Sequence, residues 1–191
     1  MLHSCAEYFT DILYKHNSLP ENRKPVYVYG TELALSTSLS MVSILSISAL
    51  CMHLFHGILF LLIFIGLRLF AGGYHAETYR KCFLITNSVF LVTVFISLLL
   101  DRWNSLSGKI FILFISFCII WALAPIRNEH HPLSDTTYRK NKITARALVL
   151  SISSPILLFY RYLEPYLSII VASCMAVAVL MIIPKLKERR D

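Results

Sequence analysis

The chain has 191 residues, of which 57% are hydrophobic and 15% charged, with a formal net charge of +7. A soluble domain carries roughly 25% charged residues, so the composition excludes an ordinary soluble globule and indicates an integral membrane protein. The excess positive charge does not mark a nucleic-acid partner, because the basic residues sit between apolar runs, where they set topology and meet anionic lipid headgroups or an acidic peptide.

Residues 1–31 form a cytoplasmic or interfacial N-terminal segment in a single membrane domain spanning 1–191. They contain Glu7, Asp11, Lys15, Glu21, Arg23 and Lys24, which is unlike a removable signal peptide with its early apolar run and small-residue cleavage site. Within 3–16, HSCAEYFTDILYKH, the spacing of Cys5, Phe9 and Leu13 against Tyr8, Ile12 and Lys15 allows an amphipathic helix at the interface. A partly ordered tail is the alternative. Pro20 and Pro25 mark the loop that follows.

Six apolar segments come next, at about 33–52, 54–70, 83–100, 110–125, 147–160 and 166–183. A spanning helix needs about 20 residues. The fifth segment is short and contains Pro155; it either recruits flanking polar residues or stops short of a full span. The expected fold is therefore all-α and polytopic, with about six transmembrane or partly re-entrant helices; four full spans and two irregular ones is the alternative. With a cytoplasmic N-terminus, the inner loops hold 15 basic residues and the outer loops only Arg102, Lys109 and Arg161. That bias follows the positive-inside rule and puts both termini, the segment 68–82 and the basic loop 126–146 in the cytoplasm.

The segment 68–82, RLFAGGYHAETYRKC, interrupts the greasy pattern with residues able to do chemistry: Arg68, His75, Glu77 and Cys82. A thiol beside an imidazole is the minimal cysteine-nucleophile pair, the imidazole taking the proton and later returning it to a leaving amine. On one unbroken helix, seven residues advance about 10.5 Å, too far for the hydrogen bond such a pair needs. The backbone near 72–78 is therefore expected to leave the helix. Gly72 and Gly73 permit positive φ and close chain approach, and their amides are candidates for an oxyanion hole. Arg68 either snorkels to the headgroups or meets a substrate carboxylate or a developing oxyanion. Glu77 reads more readily as a solvated loop residue than as the partner of His75. A loop histidine and a boundary cysteine without a joint role are the alternative for the pair.

The pattern Arg68, Gly72-Gly73-Tyr74-His75-Ala76, Cys82 resembles the accessory gene regulator protein B family, bacterial membrane cysteine endopeptidases that process quorum-sensing pheromone precursors. Chain length, multiple spans, a Pro125-containing end to the fourth segment and a basic cytoplasmic loop are also similar to that family. The resemblance implies that His75 is the catalytic histidine and Cys82 the nucleophile, and that Arg68 and Gly73 match positions needed for activity. It implies a substrate peptide with an amphipathic leader, a central pheromone segment and an acidic tail. Cleavage would leave a thioester on Cys82, and an internal cysteine or serine of the peptide would take the acyl group to close a thiolactone or lactone. The basic residues Arg139, Lys140, Lys142 and Arg146 are then candidates for steering the acidic tail, beside their topological role. The resemblance further implies a homodimer, although the sequence contains no GxxxG. No cofactor or metal is expected.

Two other classes compete. A metalloprotease needs HExxH-like spacing, which Glu129-His130-His131 does not supply; His53 and His56, close to Cys51, read as interface residues more readily than as metal ligands. The five cysteines are scattered without a CxxC pair, and Cys118 and Cys174 lie in apolar runs, so neither a disulfide framework nor a zinc site is indicated. A small transporter or export protein without proteolytic activity needs polar groups deep in the spans. The spans offer many Ser and Thr but, by this reading, no buried carboxylate or lysine. The hydroxyls are expected to satisfy backbone carbonyls and to aid helix packing.

Overall fold

The computed structural model describes residues 2–16, 23–51, 53–72, 78–126 and 134–188. Every regular element among them is helical: α1 (Leu2–His16), α2 (Lys24–Cys51), α3 (Leu54–Ala71), α4 (Tyr79–Trp103), α5 (Leu106–Leu123) and α6 (Asp135–Glu188). All except α1 are long and apolar enough to cross a membrane.

α1 is an amphipathic helix, as the spacing within 3–16 allowed. Its polar side meets α2. Lys24 Nζ lies 2.7 Å from Asp11, the hydroxyls of Thr10 and Thr31 are 3.3 Å apart, and the rings of Tyr14 and Tyr27 meet edge-on. Tyr8 faces outward, while Phe9, Ile12 and Leu13, also exposed, flank an open groove with Ala34 and Leu35 of α2; together they make an apolar surface suited to an acyl–headgroup boundary. α2 has 28 residues and is about 42 Å long. A hydrocarbon core is about 30 Å thick, so the turns of α2 beside α1 have length to spare outside it.

The joints between helices are capped locally. Thr78, in an extended conformation, accepts the Lys81 N–H at the start of α4, and Ser105 accepts the Gly108 N–H at the start of α5. Asn104, with φ 44°, terminates α4. Asparagine tolerates this left-handed position better than most residues, and α5 can therefore begin two residues later.

The fifth and sixth apolar segments are joined in α6, which has 54 residues. Arg146 donates to the Trp121 carbonyl at the end of α5. Ile182, Lys185 and Leu186 line a cavity of about 250 Å³ with Leu123, two residues further along α5. A straight helix would separate positions 146 and 182 by about 54 Å, so the chain must reverse between them. Phe159 (φ −126°, ψ 28°) is where the helical dihedrals break. The fifth segment thus recruits the polar residues before it, running from Asp135 to the break, and the sixth returns. The returning half is the centre of the bundle: 167–174 are buried on every face, and α3, α4 and α5 all pack on α6.

Several buried hydroxyls bond their own helix as expected, as in Ser40 to Ser36 O, Thr93 to Val89 O and Ser173 to Ile169 O, whereas those of Ser97 and Ser153 are buried without a hydrogen-bond partner among the described residues. The expectation that the spans bury no lysine is corrected. Lys109 is only 5% exposed, one turn inside α5 rather than in an outer loop. Its Nζ lies 3.2 Å from Asp101 Oδ1, and the same oxygen accepts the Ser168 hydroxyl. A buried ammonium is tolerated because its counter-charge is supplied directly.

The start of α2, the end of α3 and the start of α4 share one end of the bundle. Tyr29 meets Tyr79, and Ile126, just beyond α5, donates its N–H to Ala71 O at 3.0 Å. The final turns of α6 reach the same end through Leu123.

Candidate active site

The polar interruption is a break between two helices. α3 ends at Ala71 and α4 begins at Tyr79, so 68–82 is not one continuous helix. Gly72 has φ 75° and ψ −155°, a conformation that L side chains rarely adopt. Its N–H donates to Arg68 O at 3.0 Å. A Cβ there would lie 3.1 Å from Ile126 O. The close approach expected of the glycines is therefore present at Gly72, but its partner is the strand of chain leaving α5 rather than the start of α4. Through the Ala71–Ile126 hydrogen bond, the basic loop after α5 begins alongside the break.

Cys82 sits in the first turn of α4, and its side chain is exposed. Its N–H is satisfied by Thr78 O at 2.9 Å. Arg68 occupies the last turn of α3 and is half-buried, with its guanidinium carbon 5.5 Å from the centre of the Phe64 ring. The guanidinium and the Cys82 sulfur are within electrostatic reach of each other. The two residues are fourteen positions apart in sequence and flank the break. Backbone N–H groups at a helix start also favour negative charge nearby, so the surroundings of Cys82 carry two sources of positive potential.

His75, Gly73 and Glu77 lie outside the described residues, as does 127–133. Of the four basic candidates on α6, Arg139 and Lys140 are exposed and Lys142 is half-buried. Arg146 is engaged otherwise: its guanidinium lies 4.6 Å from the Trp121 ring centre and donates twice to Trp121 O. That arrangement ties the start of α6 to the end of α5.

One carboxylate near the site, Glu32, is not among the residues that the sequence pattern singles out. Glu32 of α2 accepts from His3 of α1 at 2.5 Å and interacts with the Tyr79 hydroxyl. Tyr79 opens α4, three residues before Cys82. The signal available was a lone acid near the start of an otherwise apolar helix.

His53 and His56 lie at the opposite end of the bundle. Their ring centres are 5.8 Å apart, and His56 is buried against Tyr166. Among the described residues, no three His, Cys, Asp or Glu side chains are grouped to hold a metal ion.

Compared with known proteins, the chain matches the family model described as Accessory gene regulator B over residues 6–183. No curated protein and no solved structure gives a significant match.

Proposed function

The chain belongs to the accessory gene regulator B family, multi-pass proteins of bacterial membranes implicated in processing autoinducing-peptide precursors, and from this premise we propose that it is a cysteine endopeptidase with Cys82 as nucleophile and His75 as general base and acid. The observation that carries this reading is the placement of Cys82 on the first turn of α4, exposed and within electrostatic reach of Arg68, at a break between two helices of a membrane protein.

In the proposed reaction, His75 takes the thiol proton and the Cys82 sulfur attacks the carbonyl carbon that joins the pheromone segment to the tail. A C–S bond forms and the carbonyl oxygen becomes an oxyanion. Arg68 and the amide of Gly73 offset that charge; the Gly72 amide, expected from the sequence to share this role, is instead given to Arg68 O. Collapse breaks the C–N bond, His75 gives its proton to the leaving amine, and the acidic tail departs. The pheromone segment is left as a thioester on Cys82. An internal cysteine thiol or serine hydroxyl of the same peptide then attacks the thioester, closing a thiolactone or lactone and releasing the Cys82 sulfur. A thioester keeps the acyl group activated for that exchange, and a water-poor membrane boundary limits its loss to hydrolysis.

The polar break and the start of α6 face the cytoplasm in this reading, because the basic residues gather there. That compartment keeps the thiol reduced. Arg139, Lys140 and Lys142 draw the acidic tail toward the break, anionic lipids sit against the same basic surface, and two copies associate as the family resemblance implies.

The test is to trap the acyl-enzyme. Purified protein in lipid vesicles is mixed with a precursor peptide whose internal nucleophile is replaced by alanine, so that ring closure is blocked. Intact-mass measurement should show protein heavier by the peptide without its tail, with the added mass located on Cys82. An adduct on another cysteine, or tail release without any adduct as the thioester is blocked from onward transfer, would refute the assignment.

A further inference from the structure

α4 carries Cys82 one turn from its start, and that start has an unusual neighbour. Tyr79, the first residue of α4, faces α2: its ring lies 6.4 Å from that of Tyr29, and Glu32, one turn further along α2, is close enough for its carboxylate to interact with the Tyr79 hydroxyl. Glu32 is only 13% exposed at its side chain. It is itself fixed by His3, which bridges Glu32 and Glu7. Three helices thus converge on one carboxylate next to the site.

A helix start is its least constrained part, because its first N–H groups lack intrahelical partners. Here Thr78 caps only the Lys81 N–H. The preceding chain enters from a break. Without a tertiary anchor, the first turn of α4 is free to fray, and a nucleophile in that turn would wander by more than the reaction tolerates. A misplacement of about 1 Å costs on the order of 100-fold in rate.

We infer that Glu32 and Tyr79 are positioning residues for the nucleophile: the carboxylate on α2 anchors the first turn of α4 and so fixes Cys82 relative to Arg68. The inference rests on Cys82 being the nucleophile. Neither Glu32 nor Tyr79 touches the reacting atoms; both act through the helix turn between Tyr79 and Cys82. The link through His3 makes the docked state of α1 part of the same anchor.

The test uses the full-length protein in lipid vesicles, with Tyr79→Phe, Glu32→Gln and Glu32→Ala. Tyr79→Phe keeps the ring contact with Tyr29 and removes only the hydroxyl. Glu32→Gln keeps an oxygen able to accept from that hydroxyl. Two quantities are read: steady-state cleavage of the precursor peptide, and amide hydrogen exchange resolved for residues 78–84 against the central residues 167–174. Tyr79→Phe and Glu32→Ala should lower kcat roughly 10-fold or more with KM little changed. Exchange should quicken at 78–84 and stay unchanged at 167–174, and Glu32→Gln should fall between wild type and Glu32→Ala. Unchanged exchange at 78–84 in both variants overturns the inference, as does faster exchange there with kcat at the wild-type value. Loss of activity in step with faster exchange at 167–174 also overturns it, since the residues then hold the whole fold. A wild-type protein that cleaves nothing refutes the nucleophile reading instead, while the exchange data still decide whether Glu32 anchors the turn.

Discussion

Arg68 and Cys82 come within electrostatic reach because one lies in the last turn of α3 and the other in the first turn of α4, on either side of the break. Replacing Arg68 by Ala should lower kcat by on the order of 100-fold, the scale for losing one oxyanion donor. Arg68→Lys should recover only part of it, because an ammonium lacks the planar fork of the guanidinium; single-turnover cleavage rates would show this. Gly72 sets a second requirement. Gly72→Ala must place a Cβ 3.1 Å from Ile126 O with φ at 75°, a strain of about 1–3 kcal/mol. The strand leaving α5 then has to shift away from the break. The expected readout is slower cleavage with a near-normal thermal midpoint, and a normal rate would mean that the Gly72–Ile126 approach has no bearing on the chemistry. The importance of 68–82 was legible in the sequence because polar residues stand out against apolar flanks. The partner of Gly72 was not, since a close approach between residues 54 positions apart leaves no periodic trace.

Five helices with the length and apolarity of spans follow directly from hydropathy, and the six apolar segments of the sequence correspond to them once α6 is divided. What hydropathy does not encode is a reversal without a polar loop: between Pro155 and Pro165 the chain remains helical except at Phe159. Nor does it encode burial of a charged group one turn inside a helix. Lys109, Asp101 and Ser168 tie α5, α4 and the returning half of α6 together. Asp101→Ala leaves the 5%-exposed Lys109 without its counter-charge, and breaking such a pair from one side costs about 3–5 kcal/mol. Lys109→Met removes the charge that needs a partner and fills a similar volume, so it should destabilise much less. Thermal unfolding in detergent, comparing the two variants, tests this; equal losses would show that the pair does not hold these helices. α1 carries a pH dependence of its own. Hydrogen bonding to Glu32, followed by the nearby charge of Glu7, raises the His3 pKa above the ordinary 6.5. Protonated His3 is therefore favoured by the docked state. The contribution is complete below about pH 6.5 and is lost as pH rises through the raised value. The protection factors of the α1 amides, which divide out the base catalysis of intrinsic exchange, should accordingly be higher at about pH 5.5 than at about pH 8.5, and His3→Ala should abolish the difference.

At the scale of the whole molecule, one end of the bundle collects the end of α3, the start of α4, the chain leaving α5, the start of α2 with α1, and the final turns of α6. The opposite end collects the short α4–α5 joint, the His53–His56 pair and the reversal at Phe159. Chemistry-bearing and basic residues fall mostly on the first end and structural pairings on the second, a division that charge counting along the sequence already suggested. In the proposed function, this first end cleaves a peptide through Cys82. The most direct measurement follows release of the acidic tail by mass spectrometry, using the precursor peptide with wild-type protein, Cys82→Ala, Cys82→Ser and His75→Ala in lipid vesicles. Wild type should release the tail and yield a product lighter by one water than the linear fragment, while Cys82→Ala and His75→Ala release none above background and Cys82→Ser at most a trace. Equal cleavage by wild type and Cys82→Ala would contradict the account.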